Sequence, residues 1–88
     1  MRFLVWVDYC NSGKTKRTPY RDQHRDYNHH LKEDGILVMA GSTQDYSYSL
    51  RIYEAKNQND VESLIVKDPY WRQGIWTAMK IDPFIQVI

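Results

Sequence analysis

The chain holds a single cysteine, only a slight excess of charge of either sign, and no apolar run of membrane-spanning length among its 88 residues. Each shortage excludes something. With Cys10 alone no internal disulfide can form. A formal net charge of +1 gives no strong field to steer the chain onto a nucleic acid or an anionic membrane surface. Spanning a bilayer takes roughly 18 consecutive apolar residues, and none occur here. The N-terminus MRFLVWVDYC places Asp8 too early for a signal-peptide core. Together these predict a cytoplasmic protein without a membrane or nucleic-acid partner.

What is present is a globular composition, 42% hydrophobic, with seven tyrosines and three tryptophans. Cores split only at about 250 residues or more, so residues 1–88 are expected to form one domain.

The stretch Thr18 to Gly35, TPYRDQHRDYNHHLKEDG, organises the reading. Wound as a helix at about 100° per residue, it puts Tyr20, His24, Tyr27 and Leu31 in one narrow stripe. Thr18 reads as its N-cap, Pro19 as its first helical residue and Gly35 as its left-handed C-terminal residue. A histidine thus sits in the middle of the packing face.

Upstream, Phe3, Val5, Val7 and Tyr9 alternate with Leu4, Trp6 and Asp8, a strand apolar on both faces and therefore central. Cys10 to Arg17 reads as a loop. Its Gly13-Lys14-Thr15 invites a phosphate-loop reading, but Asp8 stands where the first glycine is needed and helix signals start only at Thr18. Ile36 to Ser42 and Tyr48 to Ala55 read as a strand hairpin. Asn59, with Glu62 three residues on, predicts a capped second helix through Val61, Leu64 and Ile65. It ends before Pro69, and Asp68 there reads as N-cap of a short turn closed by Gly74. Ile75 to Ile81 is a fourth strand interrupted at Pro83, and Phe84 to Ile88 a β-prone tail able to add an edge strand or to pair with another subunit.

The order βαββαβ is the ferredoxin-like arrangement of an α+β protein. Right-handed crossovers place both helices on one sheet face. The other face is apolar and uncovered, which predicts a homodimer through it.

His24 and Asp68 both point at the layer between helices and sheet. A carboxylate hydrogen-bonded to an imidazole fixes its tautomer and raises its pKa, equipping it for general acid and base work. The plainer account is a buried histidine satisfied by a backbone group and an Asp68 that only caps. His29 and His30 lie about 140° and 240° round the helix from His24, so the three cannot converge on a metal. Cys10 reads as a small hydrophobic thiol, and Tyr27, Trp71 and Trp76 as core or interface aromatics, one or two of which line a pocket.

His24, Tyr27, Gly35, Ala40-Gly41, Asp68-Pro69-Tyr70 and Gly74 stand in an order and spacing that resembles the YCII-related family. Arg21 three residues before His24 and Gly35 eleven after it match that pattern. Asn28 departs from it, standing where a leucine follows the tyrosine, as does Ser42 in place of a proline, and the loop Tyr46 to Tyr48 replaces one containing glycine. The resemblance implies a ferredoxin-like fold with an extra C-terminal strand, paired as a dimeric α/β barrel, with His24 and Asp68 as the active-site pair. It also implies a cofactor-free, metal-free lyase or isomerase for a small cyclic compound, similar to dehydrochlorinases or muconolactone isomerase. Arg21, Tyr27, Ser42, Tyr70 and Trp76 are then the expected substrate-binding residues. The rival is a non-catalytic ligand-binding or accessory dimer. An RNA-binding ferredoxin-like domain is disfavoured, because YSLRIYEA lacks the Gly-aromatic pattern of such strands.

Overall fold

A computed structural model describes residues 1–88. Strand β1 (Arg2–Tyr9) leads into a one-turn helix α1 (Gly13–Lys16), a 3₁₀ turn (Thr18–Tyr20) and the long helix α2 (Arg21–Glu33). The hairpin β2 (Leu37–Ser42) and β3 (Tyr48–Glu54) follows, then α3 (Gln58–Val66), the short α4 (Pro69–Arg72) and β4 (Trp76–Phe84). The four strands form one antiparallel sheet in the order β2-β3-β1-β4. That is the ferredoxin-like α+β topology, with β1 central as its two apolar faces require.

Phe3, Val5 and Val7 of β1 pair with Tyr53, Arg51 and Ser49 of β3. These inward residues join Leu31 of α2, Val61 and Ile65 of α3 and Tyr70 of α4 around one core. The opposite face carries Trp6, Tyr48 and Met39, which are 41%, 45% and 49% exposed. Trp6 and Tyr48 meet there edge to face, with ring centroids 6.4 Å apart.

Gly35 ends α2 at φ +73°, donating to the Lys32 carbonyl at 3.0 Å while Ile36 donates to Leu31 at 2.9 Å. This pair of bonds is the Schellman motif, and the left-handed backbone it needs suits glycine. A bulge between Leu37 and Met39 leaves Val38 without a register partner. It turns Ala40 and Ser42, paired with Arg51 and Ser49, onto the helix side of β2. Without it, Met39 would face the helices.

Five local expectations need correction. The loop Cys10–Arg17 contains helix α1, whose Gly13 lies against Tyr9 so closely that a Cβ there would stand only 3.0 Å from the tyrosine side chain. Thr18 makes no capping bond, because the chain is already turning as a 3₁₀ helix and α2 proper starts at Arg21. Asn57 caps α3, accepting from the Asp60 amide at 2.9 Å, so the helix starts earlier than an Asn59 cap allows. Pro83 does not interrupt β4: it pairs opposite Phe3 on an edge strand, where no second neighbour needs its missing N–H. The tail beyond Phe84 adds no strand within the chain, and Ile85, Val87 and Ile88 are exposed.

Candidate functional site

Helix α2 carries His24 onto the packing face, and α4 begins at Asp68 directly opposite. The Nδ1–H of His24 donates to both Asp68 carboxylate oxygens, at 2.8 and 2.9 Å. Asp68 also caps α4, with Oδ1 accepting from the Tyr70 amide at 2.8 Å. The residue is 1% exposed, and both partners are dictated by sequence: Pro69 starts the turn, and helical spacing aims His24 at it. Tyr70 stacks flat on the imidazole, centroids 3.7 Å apart and planes 6° apart. Trp76 meets the same ring edge-on at 5.2 Å.

The other imidazole nitrogen is also occupied. The Asn28 side-chain amide lies 2.9 Å from Nε2 and donates to it, while Asn28 Oδ1 accepts from Arg51 Nη2. A chain of donors thus runs from Arg51 through Asn28 and His24 to Asp68. It fixes the neutral tautomer with the proton on Nδ1 and a lone pair on Nε2.

Burial dominates the protonation of His24, pushing the imidazole below its ordinary value. The Asp68 hydrogen bond and charge pull the other way, and the nearby Arg51 and Arg17 add to the lowering. The sequence expectation of a raised pKa is therefore corrected: the ring, with 13% side-chain exposure, loses more hydration than its carboxylate restores. A lowered pKa keeps Nε2 unprotonated at neutral pH, where it accepts from the Asn28 amide.

His24 lines a cavity of about 210 Å³ between α2, β2 and β3. Of the expected substrate-binding residues, Arg21, Ser42 and Tyr70 line it too. Tyr27 and Trp76 stand outside the lining. Tyr27 donates to the Leu64 carbonyl at 2.6 Å, joining α2 to α3, and burial pushes its phenol up to about 12. Trp76 is 2% exposed and supports His24 from behind. His30 turns to the Asp26 carbonyl at 2.9 Å, away from His24.

Sequence reasoning missed Arg17, Asn28, Ser49 and Arg51, all of which line the cavity. Arg17, Arg21, His24 and Asn28 recur at four- and three-residue steps, a polar stripe beside the apolar one, which was the available signal. Arg51 carried none, since an arginine alternating with hydrophobic residues in a strand is ordinarily solvated.

The YCII-related domain matches residues 1–85, and the chain belongs to that family. Among solved structures, the fold is similar to that of 5-chloro-2-hydroxyhydroquinone dehydrochlorinase from Burkholderia phenoliruptrix AC1100, solved with 2,5-dihydroxybenzoquinone. The two share a TM-score of 0.84 over 97% of this chain and 94% of that one, at 22% identity. At that identity the likeness is one of fold. No curated protein matches the sequence. No helix is long and apolar enough to cross a membrane.

Proposed function

We propose that this protein is a small-molecule enzyme of the lyase or isomerase type, in which His24 transfers the proton and Asp68 orients it. One observation carries the reading. A buried carboxylate holds Nδ1–H of a histidine on the wall of a cavity, so that Nε2 is the nitrogen that reacts once a substrate displaces the Asn28 amide from it. In the lyase form, Nε2 takes a proton from a cyclic oxygenated substrate, the released electron pair forms a new π bond, and a halide leaves with its own pair. In the isomerase form, the same proton returns from Nε2 to a different carbon. Arg21 faces the oxygen on which negative charge develops. The uncovered sheet face pairs with a second copy, giving a dimeric α/β barrel.

The trial substrates are 5-chloro-2-hydroxyhydroquinone, the compound named for the structural relative, and muconolactone. Chloride release and the change in ring absorbance report turnover. Wild-type turnover of either, reduced about 10²- to 10⁴-fold in His24→Ala at unchanged melting temperature, is the expected result. Activity in the variant within threefold of wild type overturns the acid-base role.

The Asn28 bond to Nε2 favours a second reading, a ligand-binding dimer whose histidine is structural. Binding of both compounds without turnover, and a His24→Ala variant less stable by about 1–3 kcal/mol, would support it instead.

A further inference from the structure

We propose that Arg51, with Arg17 and Arg21, forms a binding site for a small organic anion whose charge sits on a carboxylate or an ionised ring oxygen. The proposal rests on reading the His24 cavity as the substrate site and names the chemistry of what enters it.

Arg51 is 1% exposed and projects from central strand β3 to the cavity floor. Its Nε donates to the Tyr53 hydroxyl at 2.8 Å and its Nη2 to Asn28, both neutral acceptors. Nη1 makes no hydrogen bond within the chain. The guanidinium also lies 4.9 Å from the Trp76 ring centroid and 5.6 Å from that of Tyr53. These aromatic faces hold the cation in place without neutralising it. A buried guanidinium is normally matched by a carboxylate, because its lost hydration has to be replaced.

No carboxylate contacts Arg51, since Asp68 is reached only through Asn28 and the neutral His24. None of the chain's four ion pairs includes an arginine of this cavity. The lining contains Arg17, Arg21, Arg25 and Arg51 and no Asp or Glu. The Nε atoms of Arg17 and Arg21 are buried without hydrogen-bond partners. Arg17 is seated over Tyr46, 4.2 Å from its ring centroid, so it too is held by an aromatic face. A chain of net charge +1 has thus gathered four cations around one cavity with no carboxylate in its lining as counter-charge. A planar anion accepting from the guanidinium supplies it, through charge-assisted bonds stronger than those to neutral groups. At about 210 Å³ the cavity is below the roughly 300 Å³ at which pockets for drug-sized ligands begin, a size that suits a single-ring anion.

Calorimetric titration of the full chain with benzoate, 4-nitrophenolate above its pKa, and neutral benzamide tests this. The expected result is at least tenfold tighter binding of benzoate or 4-nitrophenolate than of benzamide; which anion binds assigns a carboxylate or a ring oxygen. Arg51→Met should lose that preference, and Arg51→Lys, which keeps charge but not the guanidinium fork, should retain part of it. In case Arg51→Met does not fold, the Arg51 Nε–H signal of the wild type, followed by NMR, should shift with the anion and not with benzamide. Equal binding of anion and amide, or an anion affinity unchanged in Arg51→Lys and a static Nε–H signal, would overturn the site. The wild-type chain separates the two proposals: anion-selective binding without turnover of either trial substrate sinks the enzyme reading alone, and turnover without anion preference sinks the anion site alone.

Discussion

The Asn28 amide donates to His24 Nε2 at 2.9 Å, so the nitrogen left free by Asp68 is held by the residue one helical turn along α2. A donor on Nε2 stabilises the neutral ring and opposes its protonation. Replacing Asn28 with the leucine that the family pattern carries removes that donor and also the acceptor for Arg51 Nη2. Asn28→Leu should therefore raise the His24 pKa, measured from its ring resonances by NMR. It should also destabilise the fold by about 1–3 kcal/mol through the orphaned guanidinium donor, read from urea unfolding. An unchanged His24 titration would show that the amide has no hold on the ring.

The lowered His24 pKa sets a direction for pH dependence. Above the ordinary histidine value of 6.5 the ring is neutral in both folded and unfolded chains, and its contribution to stability is complete. As the pH falls below that value the unfolded chain takes up a proton that the folded one resists, so stability declines until the folded pKa is reached. The slope is at most about 1.4 kcal/mol per pH unit for one group. Unfolding of wild type between pH 7.5 and 5.5 should lose more stability than unfolding of His24→Gln, in which this component is absent. The acid limb of kcat/KM should likewise fall below the ordinary histidine value.

Asp68 serves two bonds that a pair of variants can separate. Asparagine caps a helix about as well as aspartate, so Asp68→Asn keeps the bond to the Tyr70 amide and removes the charge that faces His24. Asp68→Ala removes both. In stability, Asp68→Ala should fall below Asp68→Asn by about 0.5–2 kcal/mol, the worth of a cap. In turnover the two should be similarly impaired, since neither offers a carboxylate to Nδ1. Full activity in Asp68→Asn would reduce Asp68 to a cap.

Much of this arrangement was legible in the chain because it depends on neighbours in sequence. Alternation over Arg2–Tyr9 gives a central strand, Gly35 fixes the end of α2, and Asp68 before Pro69 marks a cap. His24 and Asp68 could be aimed at one layer from helical spacing alone. What was not legible depends on distant partners. Arg51 looks like a solvated strand residue until Tyr53, Asn28 and Trp76 close around it. Pro83 looks like a strand breaker until β4 is known to be the edge. The bulge at Val38 leaves no local mark, yet it decides that Ser42 rather than Met39 reaches the cavity. The sign of the His24 shift was missed for the same reason, since burial is a property of the whole packing and outweighs the one carboxylate visible in the sequence.

The uncovered sheet face yields the last prediction. Trp6 stands there 41% exposed, edge-on to Tyr48, with Lys80 its register partner on β4. An exposed apolar face of this kind marks an interface, and a tryptophan near the middle of one is a typical anchor whose loss costs about 2 kcal/mol or more in association. Trp6→Lys adds a second cation beside Lys80 and so opposes pairing of two such faces. Because the side chain lies outside the core, the monomer should keep its fold by circular dichroism. Light scattering coupled to size exclusion should then find wild type as a dimer at micromolar concentration and Trp6→Lys as a monomer. A wild-type monomer, or a dimer insensitive to Trp6→Lys, places any interface elsewhere on the molecule.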